Sequence, residues 1–232
     1  MSEALLDQAR AEGRTVLNEV ESKQILAAAG LPTIPTELAT SPSHAAALAA
    51  ALGFPVALKV VASAISHKSD HGGVVLNLPD AAAVRAAYDE IRAATSHLAA
   101  LEGVSVQPMA APGVELVVGL ARDPQFGPVV MVGLGGVLVE VLEDVALRLV
   151  PLTPSDAAAM IHEIKGFPLL QGYRGAPPAD LAAIEAILLA VSRFAVANPD
   201  IAELDLNPII AGPEGACAVD ARIVLIENEH SQ

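Results

Sequence analysis

The chain has 232 residues, of which 53% are hydrophobic and 3% aromatic, and its formal net charge is −14. This length fits one domain of two lobes, or two small domains, and allows a substantial core. The acidic charge argues against nucleic acid as a partner, because a long polyanion is bound by a basic surface, which this sequence does not show. The acidic charge does not exclude a nucleotide ligand, since a few cations, backbone amides and Mg²⁺ can hold phosphates.

No apolar run reaches the roughly 20 residues that a membrane helix needs, and the first residues lack the pattern of a signal peptide. We therefore expect a cytoplasmic protein that does not contact a membrane. The single cysteine, Cys217, excludes an internal disulfide and a multi-cysteine zinc site. We expect Cys217 to be a small, buried apolar residue.

The first half of the chain is predicted to mix helices with strands. Apolar residues at helical spacing predict helices that begin at serine or aspartate caps or end at glycine. Short apolar runs predict strands between them. The predicted helices lie within 18–30, 41–53 and 80–98, and the predicted strands within 54–62, 74–78 and 104–110.

The second half is predicted to contain successive strands, then two helices, then a closing hairpin. The second of these helices is entered through two prolines and capped by Asp180. The predicted strands lie within 114–123, 127–136, 137–144, 201–212 and 217–225, and the predicted helices within 154–164 and 177–198.

This order of elements predicts an α+β fold of two lobes rather than a regular βαβ array. Proline and glycine punctuate the segment VQPMAAPG, which we interpret as the hinge. We therefore expect an N-terminal lobe at 1–107, which includes an N-terminal helix, and a C-terminal lobe at 108–232.

Two features could bind an anion. Lys59 lies in an apolar predicted strand, where an unpaired ammonium group is costly, so it either faces a bound anion or lies on an edge strand and reaches water. The segment GLGG, Gly133–Gly136, follows a predicted strand and could bring backbone amides to phosphates. It matches no Walker pattern and no full GxGxxG, so a tight turn is the simpler interpretation.

A third feature could bind a metal ion. Glu203, Asp205 and Asn207 alternate, so a strand would project them on one face, and Asp220 comes from the partner strand of the same predicted hairpin. Oxygen ligands of this kind suit Mg²⁺ that arrives with phosphates. The alternative is the solvated face of an amphipathic strand, which we disfavour because proline follows Asn207 inside an apolar hairpin.

The segment ISHKSDHGGVVLNL, residues 65–78, carries two histidines. His67 lies near a lysine, an aspartate and two glycines, and could be a metal ligand, a general base or a nucleophile toward phosphorus. A polar turn is the competing interpretation for either histidine. A metal site is disfavoured, because no second histidine follows at ligand spacing apart from His71, which lies four residues on in a segment too rich in glycine to form a helix.

Taken together, these segments resemble the ATP-grasp, or beta, subunit of the ADP-forming acyl-CoA synthetases. They run in the family's order from about Glu21 to Leu225, which is nearly the whole chain. The matching segments are ESKQILAAAGLP, FPVALKV, HKSDHGGVVLNL, the long stretch from VQPMAAPG through GLGGVLVEVLEDVALRLVPL, GYRGAPPAD, ELDLNPI and VDAR.

The resemblance implies an ATP-grasp fold, in which two α/β lobes hold the nucleotide between them. It implies ATP or ADP and Mg²⁺ as cofactors, and a reaction that interconverts acyl-CoA, ADP and phosphate with the free acid, CoA and ATP. The 232 residues contain no CoA-binding Rossmann domain, so the resemblance also implies a separate CoA-binding alpha subunit as partner, in a heterotetramer. Acyl selectivity would reside largely in that alpha part.

The resemblance also implies residue roles. His67 matches the histidine of the family's HK[ST]D motif, which is implicated as a shuttle for the phosphoryl group, whereas His71 falls at a variable position. Asp205 would orient or stabilise that histidine, and Asn207 and Asp220 would hold Mg²⁺. The nucleotide-binding residues would be Lys23, Lys59, Gln107, Pro108, Met109, Glu115, Gly135 and Gly136.

Two other functions compete with the synthetase subunit. One is a regulatory nucleotide-binding module, of the kind found fused to protein acetyltransferases, which could lose the histidine and still bind nucleotide. The other is an ATP-grasp ligase that joins a carboxylate to an amine and does not need that histidine. Retention of His67, Lys59, Asn207 and Asp220 together favours the synthetase subunit.

Overall fold

The computed structural model describes residues 2–62, 72–97, 101–136 and 144–226. The helices are α1 (Ser2–Ala11), α2 (Glu19–Ala28), α3 (Pro42–Leu52), α4 (Ala81–Ala94), α5 (Pro154–Glu163), α6 (Phe167–Leu170) and α7 (Leu181–Ala197). The strands are β1 (Glu37–Ala39), β2 (Val56–Ala62), β3 (Val74–Leu78), β4 (Leu101–Pro108), β5 (Val114–Asp123), β6 (Gly127–Leu134), β7 (Val145–Leu149), β8 (Ile201–Gly212), β9 (Gly215–Ala218) and β10 (Arg222–Leu225).

These elements group into two compact units, each with its own antiparallel sheet. The smaller unit comprises Asn18–Lys23 and Ile34–Ala110. The larger unit comprises the residues up to Leu17, Gln24–Thr33 and the residues from Ala111 onward. Helices packed on antiparallel sheets confirm the predicted α+β class.

The division differs from the predicted one at its N-terminal end. The first residues, up to Leu17, belong to the larger unit rather than to an N-terminal lobe that ends at 107. Leu17 N–H donates to the carbonyl oxygen of Ile223 at 3.0 Å, and Val16 forms a β-bridge with Val224. These backbone bonds attach the segment to β10, at the other end of the chain, which no local pattern could indicate.

The sheet of the smaller unit has the strand order β1-β4-β2-β3. Its core contains Leu58 and Val60 of β2 together with buried residues of α3 and α4. Both helices begin at the predicted caps, since the side chains of Ser41 and Asp80 accept hydrogen bonds from the first-turn N–H groups. The helices thus cover one face of the sheet, and the side chains that alternate with Leu58 and Val60 point to the other.

The sheet of the larger unit has the order β10-β8-β5-β6-β7, with β9 beside β8. The long strand β8 pairs with β5 along one edge, and with β10 and then β9 along the other. Its core side packs with α5 and α7. Arg122 on β5 caps the end of α7, because its guanidinium donates to the carbonyl oxygens of Ala195 and Asn198. It also donates to the carbonyl oxygen of Ile201, where β8 begins.

Two strands differ from the predictions. Local patterns do not predict β7, in which Leu147 and Leu149 are more than half exposed. The predicted final strand at 217–225 is two short strands, β9 and β10, which pair with different parts of β8. Residues 137–143 of the strand predicted at 137–144 lie outside the described residues. Within the part of the chain that the structure describes, no helix combines the length and apolar character needed to cross a bilayer.

Candidate functional site

A buried polar cluster lies on the second face of the smaller unit's sheet. Lys59 is on β2, between β4 and β3, and is only 6% exposed. Since its neighbours Leu58 and Val60 face the core, Lys59 faces the opposite side. Its Nζ donates to Glu19 Oε1 at 2.9 Å. The alternative of an edge-strand lysine that reaches water is therefore wrong.

Glu19 also pairs with Lys23, one helical turn further along α2. The Lys23 Nζ donates to Glu19 Oε1 at 2.8 Å, to Thr36 Oγ1 at 2.9 Å and to Gln107 Oε1 at 2.7 Å. Three acceptors match the three N–H donors of an ammonium group. The structure thus brings together three predicted nucleotide-binding residues, and we call the five side chains of Glu19, Lys23, Thr36, Lys59 and Gln107 the Glu19 cluster.

The Glu19 cluster holds charged groups away from water. Its five residues are each 7% exposed or less, and it contains one carboxylate and two ammonium groups. Charges withdrawn from water need opposite charges or hydrogen bonds to be stable. The Glu19 carboxylate therefore stabilises both ammonium groups in this buried position.

Sequence reasoning missed Glu19 and Thr36. Glu19 and Lys23 are four residues apart on α2, which is the spacing of an ion pair on a helix face, so this pair could have been predicted. The bonds from Glu19 to Lys59 and from Lys23 to Gln107 join residues 40 and 84 positions apart. No local pattern reveals contacts of that range.

The predicted base-binding segment, Gln107–Met109, forms the end of β4 and the residue after it. Gln107 pairs with Ala57 of β2, and the Met109 N–H donates to the carbonyl oxygen of Pro55 at 3.0 Å. The backbone of this segment is therefore held firmly by the neighbouring strand. A contact between the segment and a nucleotide base stays a prediction.

The larger unit presents the predicted acidic face. Along β8, Glu203, Asp205 and Asn207 are exposed, whereas Leu204 and Leu206 between them are buried. The predicted alternation is therefore confirmed, and the three polar side chains project from the face opposite the core.

Asp220 lies between β9 and β10 rather than on a partner strand. Its Oδ1 accepts a hydrogen bond from the Ala221 N–H at 2.8 Å. Arg222, two residues further on, pairs directly with Asp205 across the β8–β10 register. Partial loss of water raises the pKa of the Asp205 carboxyl, and the charges of Asp220 and Glu203 also raise it, whereas Arg222 lowers it.

This group of oxygen atoms fits Mg²⁺. The Asn207 amide and the Asp220 carboxylate offer the oxygen atoms that Mg²⁺ prefers, and a cation beside them would offset the Asp220 charge, which together with burial raises the pKa of Asp205. Among the described residues, no group of three histidine, cysteine or acidic side chains could hold a metal ion by itself.

We expect Asp205→Asn to make the protein slightly more stable at neutral pH. A carboxyl whose pKa is raised on folding costs stability above that pKa, and the cost disappears as the pH falls below the pKa of the unfolded chain. Water screens the partly exposed side chain, so the gain in Tm at pH 7 should be no more than about 2–4 °C. Thermal unfolding at pH 7 and pH 3 would measure it.

The matched control for this substitution is Glu214→Gln in the exposed turn after β8, because Glu214 is not among the charges that shift the pKa of Asp205. We expect the Tm of Asp205→Asn to be higher than that of this control at pH 7 and equal to it near pH 3. A lower Tm of Asp205→Asn at pH 7 would show that the Asp205 carboxylate is a net stabilising group instead.

Glu115 lies beside the predicted glycine loop. It is exposed on β5, and its carbonyl oxygen accepts a hydrogen bond from the Gly135 N–H at 2.7 Å. A Cβ atom on Gly135 would lie 3.0 Å from the Glu115 backbone, and one on Gly136 would lie 2.8 Å from Glu115 Oε2. Gly136 also has a φ of +63°, which favours glycine. The close approach to the Glu115 backbone therefore favours glycine at position 135, and the positive φ favours glycine at position 136.

We expect Gly136→Ala to lower both stability and nucleotide affinity. The positive φ should cost about 1–2 kcal/mol, and the new methyl group should displace the Glu115 carboxylate. Gly127→Ala is the matched control, because Gly127 has a φ of +79° but open space around its Cβ position. Thermal unfolding should show similar losses for both variants, whereas calorimetric titration with ADP and Mg²⁺ should show weaker binding for Gly136→Ala alone. Equal ADP affinities in the two variants would show that Glu115 does not contribute to nucleotide binding.

His67, like His71, lies outside the described residues, so its role as a phosphoryl carrier stays a prediction. Cys217 is half-buried rather than buried, and it lines a surface cavity of about 500 Å³ beside the turn between β8 and β9. The expectation of a fully buried Cys217 is therefore wrong.

Comparison with known proteins agrees with this geometry. A family model described as the ATP-grasp domain matches residues 8–225. The beta subunits of the ADP-forming acetate–CoA ligases I and II of Pyrococcus furiosus are 41% and 42% identical to the chain, and each match covers 95% of the chain and 96% of the relative. The ADP-forming acetate–CoA ligase I of Archaeoglobus fulgidus is 40% identical over 97% of this chain, but the match covers 33% of that longer protein.

Solved structures show the same likeness. A chain of the dinucleotide-forming acetyl-coenzyme A synthetase 1 of Ca. Korarchaeum cryptofilum, in complex with coenzyme A, Ca-AMPCP and HgCl⁺, has a TM-score of 0.94 and 47% identity over 97% of this chain and 100% of its own. Another structure of that enzyme, with coenzyme A and Mg-AMPPCP, has a TM-score of 0.87 and 46% identity, with the same shares covered. This chain belongs to the ATP-grasp family that includes the beta subunits of ADP-forming acetate–CoA ligases.

Proposed function

We propose that this chain is the beta subunit of an ADP-forming acyl-CoA synthetase. The observation that carries the proposal is its likeness, over nearly the full length of both proteins, to subunits of that name. In the direction of ATP formation, phosphate displaces CoA from acyl-CoA and gives an acyl phosphate. A histidine nitrogen then takes the phosphoryl group and releases the carboxylate, and ADP takes the phosphoryl group from the histidine. The overall change converts acyl-CoA, ADP and phosphate into carboxylate, CoA and ATP.

The residues of this chain would serve the step that involves the nucleotide. Lys59, held in place by Glu19, would neutralise nucleotide phosphates. Asn207 and Asp220 would hold Mg²⁺, which when bound supplies positive charge to the phosphates. His67 would carry the phosphoryl group as a covalent intermediate, which divides one long transfer into two shorter ones. Asp205 would orient the His67 imidazole.

The partner would be a CoA-binding alpha subunit. The beta-subunit relatives in Pyrococcus furiosus match this chain over 96% of their length, whereas in Archaeoglobus fulgidus the matching segment is 33% of a longer chain named as the whole ligase. The remaining part of the enzyme is thus carried separately in the first case and on the same chain in the second. A heterotetramer in the cytoplasm is our specific proposal for this protein.

Reconstitution would test the proposal. The chain would be mixed with an alpha subunit that is active with its own beta subunit, together with acetyl-CoA, ADP, phosphate and Mg²⁺. We expect ATP to form only when both proteins are present, and we expect Lys59→Met to reduce the rate strongly. Nucleotide binding without ATP formation, with an alpha subunit shown to be active, would favour the regulatory module instead.

A further inference from the structure

The bonding of Lys23 differs from that expected of a phosphate ligand. Each of its three ammonium N–H groups has a protein acceptor, namely Glu19, Thr36 or Gln107, at 2.9 Å or less. Lys23 is 2% exposed. To reach a phosphate, it would have to leave at least one buried acceptor without its partner, which is unfavourable because that acceptor would lose both water and its hydrogen bond.

We propose that Lys23 and Glu19 are positioning residues, which together fix the Lys59 ammonium group relative to the Gln107 end of β4. This inference rests on the proposed function, in which Lys59 meets nucleotide phosphates and the segment 107–109 meets the base. Lys23 and Glu19 then act on the nucleotide through these neighbours and do not touch it.

The bonds of the Glu19 cluster support this inference, because they form a continuous path. Lys59 and Lys23 donate to the same oxygen, Glu19 Oε1, and Lys23 also donates to Gln107 Oε1. The path therefore begins at the lysine proposed for the phosphates and ends at the strand terminus proposed for the base.

Thr36 keeps the path in one geometry. Its hydroxyl lies 3.0 Å from the carbonyl oxygen of Ile34 and 2.9 Å from the Lys23 ammonium, so it connects the lysine to the backbone before β1. Buried polar networks in which every member is bonded are rigid and specify one arrangement. A rigid link of this kind would set the spacing between the two groups that recognise the ends of one nucleotide.

Two ligands distinguish a positioning role of Lys23 from direct contact between Lys23 and the phosphates. ADP has base, ribose and phosphates, whereas adenosine lacks the phosphates, and adenosine binding can be measured by competition against a fluorescent ADP analogue. We expect Lys23→Met to lower the affinities for ADP and for adenosine by the same factor. That factor should be about tenfold, which corresponds to one lost charged hydrogen bond. We expect Lys59→Met to weaken ADP by tenfold or more and to leave adenosine unchanged.

Thr36→Val is the second variant, since it removes one acceptor of Lys23 and keeps every charge. Thr36→Val should lower the affinities for both ligands equally, by a smaller factor than Lys23→Met does. It keeps the test valid if Lys23→Met does not fold. A loss of ADP affinity alone in Lys23→Met or Thr36→Val would show direct phosphate contact and overturn the inference. Unchanged affinities with a lower Tm would show a purely structural cluster and would also overturn it.

The failure of this inference can be distinguished from failure of the proposed function. If the wild-type chain binds ADP but forms no ATP with an active alpha subunit, the function is wrong, yet the comparison of ADP with adenosine still decides the role of Lys23. If ATP forms and Lys23→Met behaves as Lys59→Met does, the function stands and the positioning role is wrong.

Discussion

The His67→Ala variant is expected to take up no acid-labile phosphoryl label from γ-labelled ATP and Mg²⁺, whereas the wild-type chain is expected to be labelled. A neutral imidazole nitrogen attacks the γ-phosphorus and ADP leaves, which creates an N–P bond that acid hydrolyses. Alanine offers no nucleophile, so ATP formation with an alpha subunit should fall by about 10³-fold or more. Labelling of the isolated chain, followed by acid treatment, measures the first effect directly.

His71→Ala is the matched control for this experiment, because it removes an imidazole four residues away in the same segment. It should keep the label and most of the activity. Retention of label in His67→Ala, or its loss in His71→Ala, would assign the phosphoryl carrier to a different residue. Absence of label in the wild type as well, despite ADP binding and a supplied alpha subunit, would favour the regulatory nucleotide-binding module.

The Glu19→Gln variant is expected to lose about 3–5 kcal/mol of folding free energy, which is a large part of the stability of an ordinary domain. The substitution keeps the size of the side chain but leaves the Lys23 and Lys59 ammonium groups buried without their shared carboxylate. Urea unfolding of the chain without nucleotide would measure the loss.

Glu21→Gln is the control for this substitution. Glu21 is two residues further along α2, and its carboxylate accepts the Asn18 N–H at the helix start, a role that glutamine can also fill. It should cost less than about 0.5 kcal/mol. The double variant Glu19→Gln with Lys23→Met should lose at least about 1 kcal/mol less than the two single losses combined, since the paired groups interact. Additive losses would mean that the two side chains stabilise the protein independently.

Much of the fold could be predicted because it depends on short-range chemistry. The Asp80 and Asp180 side chains accept hydrogen bonds from backbone N–H groups within three residues, so the starts of α4 and α7 follow from local sequence. The alternation along β8 likewise needs only the period of a strand, and it correctly indicated the exposed Asp205 and Asn207.

Other features depend on partners that are distant in sequence. β7 exposes apolar residues such as Leu147 and is defined by its pairing with β6, so its own pattern does not indicate a strand. The attachment of Val16 to the last strand is of the same kind. For the candidate site, the resemblance indicated Lys23 and Lys59, but Glu19, which joins them, carried no signal beyond its spacing from Lys23.

The double pairing of β8 restricts where the length of the chain can change. Asp205 is flanked by Gly119 on one side and by Arg222 on the other, so its position is set by two neighbouring strands at once. An inserted residue in this strand would turn every following side chain to the opposite face and bury the polar ones. The turn at Pro213–Glu214, which joins β8 to β9, is exposed and carries no such constraint. The pairing of β8 therefore fixes the position of the acidic face, whereas this turn can lengthen without disturbing it.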